Sequence, residues 1–363
     1  MSTTRDLGVP LVEKLKGLPK LRCYCGMAKA YHAAYDLDKM RDALARAAEA
    51  VAAMGADAGS YEHCRLAAAL LEVGDNGGAQ RALDAAARSA REAAGVDKVY
   101  AWCHLADVLV SNQRAQDAMP ALDQAAEAAS TLADSDKYSA LVDVAEQFVR
   151  AGCRERAGDI AASIDAAARR MTGRDRACTL GLLADLQLDL GNTMAAQEAV
   201  DAAVAGAGSC EPLERVIVVC DAVDTYLRMG APDRARDVLS FAQTSLRASE
   251  DAGNEIALLC VARGYAALGD LAAAREVAGC TEALGRVRIL SSIATVFHGR
   301  HKDTAAALGL LCAAFDAAEK VEGRRRLYAL DRLVPLCIEL DGAELTGEQH
   351  ARLSAIAARL AAP

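Results

Sequence analysis

Aromatic residues make up only 4% of this 363-residue chain and proline occurs only seven times. Few aromatics and few helix breakers argue for close-packed helices over sheets. No stretch reaches the roughly 18 consecutive apolar residues that a membrane-spanning helix needs. The opening MSTTRDLGVPLVEKLKGLPK holds no uninterrupted apolar block of the kind a secretory signal carries. A cytoplasmic protein without membrane contact is therefore expected. Positive charge is also in deficit: 41 Lys and Arg against 50 Asp and Glu leave a net charge of -9. That balance opposes broad binding to a phosphate backbone, so nucleic acid is not an expected partner.

Catalytic signatures are missing too. There is no Walker A sequence, no G-x-G-x-x-G, no G-x-S-x-G and no H-E-x-x-H. His298 and His301 flank a turn in FHGRHKD without a Cys or Glu partner nearby, and His104 beside Cys103 lacks a third member. RRR at 324 to 326 reads as the start of a solvated helix. The chain is expected to be no enzyme and to hold no cofactor and no metal. Its twelve cysteines sit inside helical patterns rather than in the spacing of a short secreted domain, so they read as reduced thiols.

What the chain does have is a period. Gly74, Gly152, Gly191, Gly230 and Gly269 each precede an alanine by five residues, and their successive separations are 78, 39, 39 and 39. Gln113 fills the gap in the longer interval, and Tyr35 extends the series upstream. Five after these seven turn positions stand Met40, Ala79, Ala118, Ala157, Ala196, Ala235 and Ala274. Seven before them stand Ala28, Ala67, Ala106, Ala145, Ala184, Val223 and Ala262. Small residues at both offsets let two antiparallel helices approach closely, and the larger Leu44, Leu83, Leu122, Val200 and Leu239 surround the contact. Each copy is thus expected to be a helical hairpin.

These residues resemble the tetratricopeptide repeat, in which an aromatic, a Leu-Gly pair and a tyrosine mark the first helix and small residues mark the second. Tyr31, Phe148, Tyr226 and Tyr265 match the tyrosine position, Trp102 the leading aromatic, and Ala47, Ala86, Ala125, Ala203 and Ala242 the last small position. The likeness covers residues 21 to 320 or so, but the period is 39 where the family has about 34. The closing proline is also missing from nearly every copy, which keeps a HEAT-like array as the structural alternative. The resemblance implies an all-α fold, a right-handed superhelical α-solenoid of about nine stacked hairpins, with the first helix of each on the concave wall. Breaks between hairpins are expected at GADAG (55 to 59), GVD (95 to 97), TGRD (172 to 175), GAGSCEP (206 to 212) and EDAGN (250 to 254). A step of 32 residues from Ala262 to Ala294 implies that one second helix is clipped near Gly279 to Gly285 by two turns. The expected organisation is an extension over 1–20, the array over 21–321, and a capping hairpin over 322–361 whose last helix carries Leu353, Ile356 and Leu360 as one apolar stripe.

One face of the first helix remains for function. Six before the turn, four consecutive copies carry Asp107, Glu146, Asp185 and Asp224, between the basic Lys29 and Arg263 at the ends. Tyr61 and Tyr100, thirteen before the turn, and Val149 and Leu227, three before it, lie on the same face. These eight residues are the expected contacts for a partner protein or peptide that is basic and partly apolar, captured by a non-catalytic scaffold. With rungs about 10 Å apart and an extended ligand advancing about 3.3 Å per residue, cations at every third ligand residue would meet successive carboxylates. The alternative is a regulatory solenoid that senses a small ligand or peptide by changing curvature. A third reading rests on Cys25, Cys64, Cys103 and Cys220, all ten before the turn. Their rungs are too far apart for one zinc ion, whose bonds to sulfur are near 2.3 Å, so packing is the expected role.

Overall fold

The structure is a computed structural model that describes residues 2–340 and 343–361. A two-residue strand, β1 (Ser2–Thr3), and a short helix, α1 (Thr4–Gly8), lead into a run of paired helices. The pairs are α2 (Gly17–Ala33) with α3 (Leu37–Met54), α4 (Ser60–Glu72) with α5 (Asn76–Glu92), and α6 (Gly95–Ser111) with α7 (Ala115–Ser130). Then come α8 (Asp134–Arg150) with α9 (Arg154–Ala168), α10 (Gly173–Asp189) with α11 (Thr193–Ala207), and α12 (Pro212–Arg228) with α13 (Pro232–Arg247). The last three are α14 (Glu255–Ala267) with α15 (Leu271–Gly279), α16 (Ala283–Gly299) with α17 (Thr304–Glu319), and α18 (Arg325–Glu339) with α19 (Gly347–Leu360), the last pair separated by β2 (Glu344–Leu345). The protein is an all-α array of repeated hairpins, nine among the described residues. No helix among those residues is long and apolar enough to cross a membrane.

The period has a backbone cause. All seven turn positions read from the sequence adopt left-handed φ, between 57° at Tyr35 and 84° at Gly152, and the two that are not glycine, Tyr35 and Gln113, do so as well. Gly152 ends its first helix in a Schellman turn, its N–H donating to the Val149 carbonyl at 3.0 Å while Cys153 N–H reaches back to the Phe148 carbonyl at 2.8 Å, and the same pair of bonds closes the turns at Tyr35, Gly74, Gln113, Gly191 and Gly269. Glycine adopts this conformation without a Cβ penalty, which is why it recurs at 39-residue intervals. A further left-handed residue, Lys302, lies in the turn between α16 and α17, in the copy whose spacing had slipped.

Packing follows the small residues. The alanines seven before and five after the turn are fully buried from Ala28 through Ala274, with Val223 and Met40 standing in at their positions. Their small side chains are what allow α4 against α5, α6 against α7 and α10 against α11 to close up along their lengths. Of the expected breaks, 55–59 and 250–254 fall between helices, and 206–212 runs from the last two residues of α11 to the first of α12. At 95–97 and 172–175 the break comes earlier, because the left-handed Gly95 and Gly173 already open α6 and α10. The clipped helix is α15, nine residues long.

Two compact units divide the chain: Ala47–Met229, and Met1–Arg46 together with Gly230–Pro363. In the first, the first helices α4, α6, α8, α10 and α12 pack in a row, each on the next, and each of the second helices α5, α7, α9 and α11 packs on the following first helix. In the second unit the row of first helices runs α14, α16, α18 and then α2, so the start of the chain follows its end. Residues 2–8, within the stretch expected to be an extension, dock on the hairpin expected to be a cap. β1 pairs antiparallel with β2, with Ser2 opposite Leu345. The buried Thr4 hydroxyl donates to the Leu340 carbonyl at 2.8 Å. Gly8 and Gly26 lie so close to α18 that an added Cβ would stand 3.0 Å from Cys337 and 2.9 Å from Ile338 respectively.

Candidate functional site: the carboxylate row of residues 47–229

Asp107, Glu146, Asp185 and Asp224 lie on α6, α8, α10 and α12, four helices that pack consecutively in the Ala47–Met229 unit. Asp107, Glu146 and Asp185 are half-buried and Asp224 is exposed. Counting by 39 therefore finds side chains on adjoining helices, and two arginines that the counting missed lie among them. Arg150, two residues before the fourth turn, pairs with Asp107 of the preceding copy and donates to Ser111 Oγ at 3.0 Å. Arg228, two before the sixth turn, pairs with Asp185 of the preceding copy at 3.2 Å and with Asp189. Both crossings use the same register, an arginine two before one turn meeting an aspartate six before the previous one. The Thr225 hydroxyl also donates to Asp185 Oδ1 at 2.9 Å.

Between these two neutralised rungs lies one that is not. The position that would cross to Glu146 in the same register is Asp189, an acid where the neighbouring crossings have arginine. Burial raises the Glu146 carboxyl first, and Asp143, Asp189 and Asp185 add to it against Arg228, so that it is pushed up to about 7. Burial likewise raises Asp185, opposed by the Thr225 hydrogen bond and by Arg228. Asp143 is raised by burial and held back by its hydrogen bond with Tyr100. Three carboxyl groups that resist ionisation beside one another make a place where an added cation gains most. Asp143 shares its offset only with Asp221 and Asp189 only with Glu72, in neither case in a neighbouring copy, so no run of acids in the sequence marks them.

Of the residues expected as apolar contacts, Tyr61 lies on α4, Tyr100 on α6, Val149 on α8 and Leu227 on α12. Tyr61 meets His104 edge-on at 4.8 Å, and burial lowers the affinity of that imidazole for a proton. Tyr100 shares its hydroxyl with Asp143, while Val149 and Leu227 are half-buried on α8 and α12. His301 is exposed, with Nε2 2.7 Å from the Ala266 carbonyl and its ring against Phe297. In the cysteine column Cys25, Cys64 and Cys103 are buried and Cys220 is half-buried. Burial pushes the Cys64 and Cys103 thiols up to about 12, which makes them poor nucleophiles near neutrality and suits them to packing.

No family model matches the chain, and no curated protein matches it. Solved structures that match include the crystal structure of Ton1535 from Thermococcus onnurineus NA1, at 13% identity and a TM-score of 0.30, covering 84% of this chain and 96% of that one. Another is a circular tandem repeat protein with novel repeat topology and enhanced subunit contact surfaces, at 14% identity and a TM-score of 0.28, covering 98% of this chain and 87% of that one.

Proposed function

We propose that this protein is a non-catalytic, cytoplasmic scaffold that captures a basic, partly apolar segment of a partner protein on the first-helix row of residues 47–229. Asp107, Glu146, Asp185 and Asp224 supply the charge, and Tyr61, Tyr100, Val149 and Leu227 supply apolar contact. The observation that carries this reading is the acidic rung at Glu146, where the register used twice by arginine is occupied by Asp189 and the nearby Arg228 is already shared between Asp185 and Asp189. A lysine or arginine from a partner would take the missing place. At Asp107 and Asp185 it would compete with Arg150 and Arg228, partly exposed pairs of the kind worth about 0–1 kcal/mol. Direct packing of the first helices on one another fits a groove lined by that row.

The test is reversal of the four column acids to lysine, followed by recovery of partners from native extract and measurement of binding at two salt concentrations. Capture is expected to be lost while the helical circular dichroism signal stays. Binding that survives the reversal and ignores salt would remove the carboxylate row from the account.

A further inference from the structure

We propose that the second unit holds a binding site for a small organic phosphate, in a cavity lined by one arginine from each of its four stacked first helices. The cavity measures about 730 Å³. Arg263 comes from α14, Arg288 from α16, Arg332 from α18 and Arg22 from α2. Four arginines lining one cavity in a chain whose net charge is -9 form a local reversal of sign. Two carboxylates, Asp331 and Glu339, share the lining, and Glu255 pairs with Arg288 from α14. Arginines still exceed carboxylates across this whole set.

A second observation points to a ligand. Ser291 lines the same cavity, is only 7% exposed, and its hydroxyl makes no hydrogen bond. Buried polar groups are nearly always paired, so an orphaned hydroxyl in a cavity wall marks a place where a partner belongs. Ser291 falls ten before the turn that the Ala262-to-Ala294 step implies, the offset at which other copies carry cysteine. The thiol column thus becomes a hydroxyl in the copy that lines the cavity. Ser292 and Thr295 add hydroxyls from the same helix.

Ligand class follows from charge and size. Arginine forks match phosphate oxygens two at a time, and hydroxyls complete their coordination. A phosphomonoester carries a charge of about -1.5 to -2 near neutrality, more than a single carboxylate offers. The cavity lies within the range of about 300–1,000 Å³ typical of small-molecule sites and far exceeds what inorganic phosphate would fill. Leu18, Leu284, Val296 and Pro335 supply an apolar side for an organic group. The site lies in a different unit from the carboxylate row and has the opposite charge preference, so it stands or falls independently of the scaffold reading.

Calorimetric titration of the full chain with phenyl phosphate, inorganic phosphate and benzoate tests the assignment. Phenyl phosphate is expected to bind with a Kd below about 1 mM, more tightly than either other probe. The double variant Arg22→Gln, Arg332→Gln is expected to weaken it at least about tenfold with an unchanged thermal melt, because both side chains are exposed. Ser291→Ala is expected to weaken it about threefold or more without lowering the melt. An Arg236→Gln control on α13, outside the lining, should leave binding as it is. Absence of saturable binding of phenyl phosphate, equal binding by the double variant, or equal affinity for benzoate overturns the proposal. So does binding of a phosphopeptide in place of phenyl phosphate.

Discussion

Replacing Glu146 by Gln removes the charge of the acidic rung while keeping its shape. The Glu146 carboxyl is raised from 4.5 to about 7 in the folded protein. Since the folded value lies above the unfolded one, the folded state holds the extra proton between about pH 4.5 and 7. Its contribution is fully present below 4.5 and is lost as pH rises through 7. At about 1.4 kcal/mol per pKa unit the full shift corresponds to roughly 3 kcal/mol. Solvent screening of a carboxyl that stays partly open to water reduces this to about 1–2 kcal/mol. Urea unfolding at pH 5 and pH 8 reads the effect. Wild type is expected to lose about that amount between the two, over and above any change in Glu146→Gln, and the variant is expected to be the more stable at pH 8. Carbonyl carbon NMR of the Glu146 side chain should show the titration itself near 7. A basic peptide bound there should lower that midpoint, so complex formation at pH 6.5 should release a fraction of a proton to the buffer. If Glu146 titrates below 5 and the two proteins share one pH profile, the crowding of acids at this rung has been misread.

Four further substitutions probe the architecture. Ala145→Leu puts three extra heavy atoms where α8 is fully buried, and is expected to destabilise the protein by about 1–3 kcal/mol in urea unfolding. Gly152→Ala, at φ 84°, is expected to cost about 1–2 kcal/mol. Gln113→Gly, at φ 62°, should be neutral or stabilise by up to about 1 kcal/mol, the relief of strain being partly offset by the freer unfolded chain. Thr4→Val removes one of two donors to the Leu340 carbonyl, which keeps the Ala343 N–H, and is expected to cost about 0.5–1.5 kcal/mol and to speed hydrogen exchange in α1 and at the end of α18.

The repeat was legible because its constraint is local. A left-handed residue ending each first helix and small residues at fixed offsets leave marks that counting recovers, even where Tyr35 and Gln113 replace glycine. Docking of Thr4 and Gly8 on α18 was not legible, since contacts between residues more than three hundred positions apart leave no period. The column of acids could be counted, but its neutralisation could not. Arg150 and Arg228 belong to another offset, and only their helical register relative to the previous copy brings them to Asp107 and Asp185. For the same reason the arginines of the cavity stayed hidden: Arg22, Arg263, Arg288 and Arg332 share no single offset, and α2 joins the other three helices only through the meeting of the chain's two ends.

The scaffold reading depends on carboxylates spaced one rung apart, and the spacing itself can be measured. Two extended peptides of equal length and charge are to be compared by fluorescence anisotropy at low and moderate salt, one with lysine at every third residue and one with the same lysines in a block. A peptide matched to rungs about 10 Å apart at 3.3 Å per residue is expected to bind several-fold more tightly, and to lose that advantage in the Glu146→Gln protein. Equal affinity for the two peptides, whatever its absolute value, would mean that the row does not act as a ruler for cations and would contradict the proposed capture surface.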